Sequence, residues 1–200
     1  ALNLDGVALI DFDTDAEHTR ATVGAHVHGS AGLMSYEVEG YAQVGSLGDS
    51  TSYGAWMIGA QAGVSPEHAI NPYIGGGIDV LSGDGEADDT LSTFVLGAGD
   101  SHRYNGHFDQ WAGGNGDRGL IDGHFDLSLS PYSAMTMMVG IHAFAAVEAG
   151  DGEAFEGFEA DIDLMWTPWD PLDVLVGVWV YKPNEGDVQV AAVMQADFQF

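Results

Sequence analysis

The stretch 189–200 (QVAAVMQADFQF) decides how the rest of the chain is interpreted. Apolar residues occupy its even positions, and Gln195, Asp197 and Gln199 fall between them. Successive side chains of a β-strand point to opposite faces, so this alternation predicts a strand with one apolar and one polar face. The apolar face needs a cover, for which the candidates are lipid, a partner protein and a conventional core.

Composition separates this chain from most acidic proteins. Asp and Glu number 31 against 4 Lys and Arg, for a formal net charge of -27, yet 46% of the 200 residues are hydrophobic. That apolar fraction is too high for a disordered acidic tail, so we expect one folded domain over residues 1–200. Nucleic acid is excluded as a partner, because phosphate binding needs clustered basic residues.

Two further classes are excluded by what the sequence lacks. The chain contains no cysteine, which rules out disulfides, thiolate metal sites and cysteine nucleophiles. No apolar run approaches the roughly 20 residues that a membrane-spanning helix needs. The sequence therefore argues against a helical membrane protein.

The period of two seen at 189–200 recurs along the whole chain. One face of each segment is apolar, and the other carries Asp, Glu, His, Gln or Tyr. The alternation predicts ten strands. They are expected at 4–12, 21–27, 36–44, 56–64, 70–80, 121–129, 135–147, 158–166, 172–181 and 189–200.

The connections between these segments alternate in kind. Short turns, such as those near 130–133 and 167–170, alternate with longer acidic, glycine-rich connections, of which 82–118 is the longest. This is typical of a membrane-spanning meander. We therefore predict an all-β fold, an antiparallel up-and-down transmembrane β-barrel of about ten strands with one long acidic loop (82–118). Closure would pair 4–12 with 189–200, and 104–111 is expected to be loop structure, a small hairpin or a plug.

A soluble up-and-down barrel or sandwich is the main alternative fold. It would place the apolar faces in a core and leave the acidic faces in water. Two features favour the membrane barrel. The apolar faces persist for nearly the 9 to 11 residues of a spanning strand, and aromatic residues such as Trp56, Trp166 and Phe198 gather near strand ends, as interfacial girdles do.

Several stretches resemble the alginate-export family of bacterial outer-membrane porins. They are 33–45 (LMSYEVEGYAQVG), 70–84 (INPYIGGGIDVLSGD), 93–94 (TF), 101–106 (SHRYNG), 127–131 and 165–172. The resemblance covers most of these 200 residues but only about the C-terminal half of a typical member. It implies a barrel in the bacterial outer membrane, surrounded by the lipid bilayer, that passes a polysaccharide or other small polar solutes.

The charge of the interior departs from that resemblance. Exporters of a polyanion in this family line the pore with basic residues, whereas the polar faces here carry mostly carboxylates. A chain of uronates would meet like charge inside the barrel. We therefore expect cations and small polar solutes to pass or bind, with a saccharide as a candidate and alginate disfavoured.

Three carboxylates on the last hairpins form the first candidate site. If the turn at Pro168 pairs its strands symmetrically, Asp163 faces Asp173 and Asp161 lies one step further in. Opposed like charges destabilise a sheet unless protons, water or a cation relieve them, and a hard cation such as Ca²⁺ prefers oxygen ligands. The alternative is a hydrated acidic lumen without a single site.

Histidines form the second candidate site. His142 is expected near Asp122 on one side and Asp161 on the other, with His124 diagonal to it. This patch could bind a divalent metal, or it could be a polar network in which the imidazole offsets the acidic charge. His26 and His28 share a face with Arg20, where metal binding is a further alternative.

The sequence leaves three functional hypotheses open and predicts no enzyme. The first is an outer-membrane channel with an acidic lumen. The second is a structural or adhesive surface barrel whose acidic loops bind calcium or partners, and the third is a soluble β protein from a high-salt source. The carboxylates and histidines of 82–118 match no spacing that would make a protease site.

Overall fold

A computed structural model describes residues 1–13, 18–48, 51–85, 89–96, 106–108, 110–111, 115–150 and 152–198. These residues contain eleven strands that form one sheet. The strands are β1 (Leu2–Asp13), β2 (His18–Ala31), β3 (Met34–Leu47), β4 (Thr51–Val64), β5 (Tyr73–Leu81), β6 (Thr90–Leu91), β7 (Leu120–Tyr132), β8 (Met135–Ala145), β9 (Phe155–Trp169), β10 (Leu172–Pro183) and β11 (Gln189–Phe198). No helix in the described part of the chain is long and apolar enough to cross a membrane.

The sheet follows chain order with antiparallel neighbours. Its order is β1-β2-β3-β4-β5-β7-β8-β9-β10-β11, so β5 pairs directly with β7 across the long connection 82–119. β6 lies within that connection and pairs in parallel with the beginning of β4, through Ser52 opposite Thr90 and Tyr53 opposite Leu91. The predicted all-β, up-and-down fold is confirmed.

Nine of the ten predicted segments lie within an observed strand or overrun it by at most two residues, and the fifth begins three residues before its strand. Residues 70–72 lie outside β5, which starts at Tyr73. Asn71 adopts a φ of 42°, and Pro72 has no N–H to give to a ladder, so the chain turns there instead of continuing the strand. Residues 199 and 200 of the predicted last strand lie outside the described residues.

β1 and β11 form the two edges of the sheet. Each has one hydrogen-bonded neighbour, β2 and β10 respectively, within the residues that the structure describes. Ten long strands in alternating direction leave β1 and β11 antiparallel to each other, which suits them to pair. The closure of the barrel by this pairing stays a prediction.

The two faces of the sheet differ in chemistry and in cover. On β4, Ala55 and Met57 are each 3% exposed. The alternate residues Trp56 and Ile58 are 42% and 54% exposed. We call the face of Ala55 and Met57 the inner face and the opposite one the outer face. Alternation carries this division through every ladder of the sheet.

The long connection covers one end of the inner face. Its residues Phe94 and Trp111 are buried in an apolar cluster with inner-face side chains of five strands, and Leu96 and Phe108 pack against it. The strand residues of the cluster are Ala55, Met57, Leu81, Leu120, Phe144 and Tyr181. They lie towards the end of the sheet that carries this connection, here called the long-loop end. We call the described residues of the connection that pack on the inner face the plug.

Candidate functional site: an acidic belt on the inner face

Beneath the apolar cluster, buried ionisable side chains cross the middle of the inner face. We call them the acidic belt. Asp122 is 0% and Glu159 1% exposed, which is rare for carboxylates unless they have partners. The belt comprises Glu39 of β3, Asp79 of β5, Asp122 of β7, His142 of β8, and Glu159, Asp161 and Asp163 of β9.

Asp122 and His142 form a buried pair within the belt. The imidazole Nδ1 lies 3.0 and 2.8 Å from the two carboxylate oxygens of Asp122. The same ring stacks on His124, with centroids 5.7 Å apart, and on Phe144 at the lower edge of the apolar cluster. Both neighbours fix the ring plane, so the imidazole is held in one orientation against Asp122.

His124 connects two further carboxylates. Its Nδ1 lies 2.9 Å from Asp126 Oδ2, and its Nε2 lies 3.9 Å from Asp79 Oδ2. His124 and His142 are directly opposite in the β7–β8 ladder. Two adjacent imidazoles therefore interleave with Asp79, Asp122 and Asp126 across three strands.

The carboxylates of β9 bind the plug. The Phe108 N–H donates to Glu159 Oε1 at 2.7 Å, and the His107 N–H donates to Asp161 Oδ2 at 3.3 Å. The His107 imidazole lies 2.8 Å from Asp163 through Nδ1 and Oδ2. Residues 107 and 108 thus run antiparallel to β9 and present one polar group to each of its three acids.

Two carboxylate oxygens in this region accept no hydrogen bond among the described residues. They are Glu159 Oε2 and Asp161 Oδ1, both buried. Asp161 also lines a cavity of about 390 Å³, together with Asp163, His107 and His142. Buried oxygens that protein donors leave unsatisfied are suited to water or to a cation.

The predicted placement of the histidines is confirmed in part. Asp122 lies beside His142, as the sequence predicted. The diagonal position predicted for His124 is wrong, because the ladder places it directly opposite His142. On the other side, Glu159 is the residue opposite His142, and Asp161 is one step along β9. Asp122, His124, His142, Asp161 and Asp163 therefore all belong to one region of the inner face.

Asp173 does not join that region, and the predicted pairing of Asp163 with Asp173 is wrong. Asp163 lies opposite Gly177, while Asp173 lies opposite Asp197 of β11 and accepts a hydrogen bond of 2.6 Å from Thr167. The reason is the turn, which occupies Asp170 and Pro171 and not a point centred on Pro168. Moving the centre of the turn by two residues shifts the residue opposite Asp163 by four positions, from Asp173 to Gly177. Four positions are roughly 13 Å along a strand.

Some belt and plug residues were missing from the predicted site. Gln43, which is buried, binds the plug through its side-chain amide, and Glu159 is the most buried carboxylate of β9. Gln43 continues the alternation Glu37, Glu39, Tyr41 on β3, so the sequence predicts its position on the inner face. The sequence does not predict that Gln43 is buried, because its burial depends on where Phe94 and Trp111 pack.

Comparison with known proteins adds no assignment: none of the protein-family models matches this chain, and no curated protein matches its sequence.

Proposed function

We propose that this chain forms a porin-like barrel wall in a bacterial outer membrane, with an acidic lumen that passes or binds cations and small polar solutes. The observation that carries the proposal is the outer face. Apolar side chains stand exposed on it along successive strands, where a water-soluble protein would bury or replace them. Examples are Val38, Ile58, Ile78, Phe125, Ile141, Phe158, Ile162, Val178 and Met194.

Strand length supports a lipid partner. Apart from the two-residue β6, the described strands contain 9 to 15 residues, as in β5 and β9. A tilted strand needs about 9 to 11 residues to cross the hydrocarbon core of a bilayer. Antiparallel strands of this length with one exposed apolar face have the form of a barrel wall.

The charge of the inner face supports cations as the permeating or bound species. The belt contributes six carboxylates to the middle of the inner face, and Asp126 adds another beside His124. Rings of acidic side chains make pores selective for cations. The net charge of -27 repels polyanions on approach as well, so we propose small polar solutes and not a uronate polymer as the cargo. Membership of the alginate-export family is part of the proposal, supported by its strand and loop patterns.

Conductance in a planar bilayer tests this function. Protein purified in detergent would be added to one side under a tenfold KCl gradient, and the reversal potential measured. We expect ion channels whose reversal potential reports a preference for K⁺ over Cl⁻. A preference for Cl⁻ contradicts the acidic lumen as the selectivity element.

A second function is favoured by the plug. Phe94 and Trp111 fill the long-loop end of the inner face, which suits a barrel that does not conduct. Such a barrel would act as a structural or adhesive surface protein that binds calcium or partners through its acidic connections. Membrane-inserted protein without conductance, together with Ca²⁺ binding that is lost on trimming those connections, would favour this function over transport.

A further inference from the structure

We propose that Asp5, His26 and His28 bind a transition-metal ion such as Zn²⁺ on the inner face of β1 and β2, with Glu37 of β3 as the fourth ligand. Its proposed ligands are not belt residues, although His26 lies opposite Glu39 of the belt in the β2–β3 ladder. It requires neither transport nor a particular cargo, so it stands or fails independently of the proposed function.

The register of the first three strands brings these side chains together. Asp5 lies opposite His26 in the β1–β2 ladder, and His28 lies opposite Glu37 in the β2–β3 ladder. Because His26 and His28 are two residues apart, both point to the inner face, and their rings stack with centroids 4.7 Å apart. Three neighbouring strands thus supply two imidazoles and two carboxylates to one patch.

The distances suit a tetrahedral ion. Ligand atoms of Asp5, His26 and His28 all lie within 4.8 Å of one another, the one group of three or more potential ligands to do so in the described residues. His28 Nε2 is 3.1 Å from Asp5 Oδ2, and His26 Nε2 is 3.5 Å from Glu37 Oε2. Bonds of about 2.0 to 2.2 Å to Zn²⁺ place tetrahedral ligand atoms roughly 3.3 Å apart, so small movements bring the three grouped side chains to that spacing. Glu37 lies outside that group and completes the shell by turning towards the ion.

A second observation points to a ligand at this place. His26 Nε2 is buried but makes no hydrogen bond among the described residues, although the Glu37 carboxylate is near. Nε2 of a neutral imidazole is a common metal-binding atom. An ion between His26, His28 and the two acids would satisfy that nitrogen and neutralise the carboxylates together.

The donor set indicates which metals fit. Imidazole nitrogen favours Zn²⁺, Cu²⁺ and Ni²⁺, whereas Ca²⁺ and Mg²⁺ prefer oxygen ligands only. His28 and Asp5 are partly exposed, so an ion can reach the site from solvent on the inner side. The site should therefore bind Zn²⁺ even when excess Ca²⁺ occupies other carboxylates.

The inner face contains a matched control. His124 and His142 also stack, and each has an aspartate beside its Nδ1. Their ligand atoms do not form a group of three within 4.8 Å, judged over the described residues. The double variant H124Q/H142Q replaces two histidines, as H26Q/H28Q does, but leaves the four proposed ligands unchanged.

A Zn²⁺ titration of the full chain tests the proposal. Binding is measured by calorimetry, in detergent and in the presence of excess Ca²⁺. We expect one equivalent of Zn²⁺ to bind the wild type. H26Q/H28Q should lower the affinity for this Zn²⁺ ion by about 100-fold or more. Mutating a residue that only hydrogen-bonds to a metal ligand already lowers metal affinity about 10- to 100-fold. H124Q/H142Q should leave it unchanged. Zn²⁺ binding that survives H26Q/H28Q, or that disappears in H124Q/H142Q, would overturn the assignment.

A spectroscopic measurement on the unaltered protein covers the case in which H26Q/H28Q does not fold. X-ray absorption at the zinc edge of the one-equivalent complex counts imidazole ligands directly. Two imidazoles in a shell of nitrogen and oxygen donors support the site. A shell of oxygen alone rejects it.

Discussion

The side chain of Gln43 pairs with the backbone of Val95, 52 residues further along the chain. Its Nε2 donates to the Val95 carbonyl at 2.7 Å, and its Oε1 accepts from the Val95 N–H at 3.0 Å. The amide thereby satisfies both backbone groups of one plug residue, as a neighbouring strand would. This two-point contact attaches the plug to the wall on the side of β3, while the acids of β9 attach it on the other.

Replacing Gln43 should loosen the plug. Q43A removes both hydrogen bonds to Val95 and a longer one, of 3.3 Å, to Thr22 Oγ1. Loss of the partner of the half-buried Val95 backbone groups costs about 1–3 kcal/mol of unfolding free energy. Urea unfolding in detergent micelles measures this loss. Q195A is the control, because Gln195 is exposed on β11 and its amide binds a neighbouring side chain, Asp197. An equal effect of the two variants would contradict the role given to Gln43.

Trp111 should be the main apolar anchor of the plug. Its ring lies 5.8 Å from Phe144 and 6.4 Å from Tyr181, and it is 8% exposed. W111A should destabilise the protein by about 3–5 kcal/mol and raise single-channel conductance, because it removes buried contacts from the long-loop end. W169A, at an exposed position at the end of β9, should change stability by less than about 0.5 kcal/mol. Unchanged stability of W111A would show that the plug does not depend on this ring.

Glu159 should matter as a hydrogen-bond acceptor more than as a charge. E159A removes the acceptor of the Phe108 N–H and should lower the unfolding free energy by about 1–3 kcal/mol. E159Q keeps an acceptor oxygen and relieves repulsion with nearby Asp161, so its stability should equal or exceed that of the wild type. Thermal unfolding of the two variants distinguishes these effects. E159Q as unstable as E159A would show that the charge itself is required.

The carboxylates of β9 should set ion preference. D161N/D163N removes two negative charges beside the 390 Å³ cavity, so the preference for K⁺ over Cl⁻ should fall. E67Q/E185Q removes two charges from exposed connections and should leave the reversal potential close to that of the wild type. A larger change in E67Q/E185Q than in D161N/D163N would place the selective charges on the connections.

The strands were predictable because one physical rule governs them. A strand with one covered and one exposed face must alternate, and segments such as 158–164 alternate without interruption. Which side chains face each other across neighbouring strands was harder to predict from the sequence. It depends on where each turn lies, and the shift from Pro168 to Asp170 and Pro171 separated Asp163 from Asp173.

The plug was the least predictable part of the site. Phe94 and Trp111 lie in a glycine- and aspartate-rich connection without a period of two or 3.6, so the sequence does not show which surface they cover. Burial of Gln43 and Glu159 follows from that packing, not from their own strands. The aromatic residues within 82–118 were the one available signal that this connection packs against something.

Lipid contact by the outer face is the central claim, and two adjacent methionines of β8 test it most directly. Met137 lies on the outer face and is exposed, whereas Met138 lies on the inner face and lines the cavity. The chain has no cysteine, so M137C and M138C can each carry a single fluorophore. In liposomes, we predict that lipids brominated in their tails quench the label at 137 and that aqueous acrylamide quenches the label at 138. Equal quenching at both positions, or no quenching by brominated lipid at 137, would contradict the account.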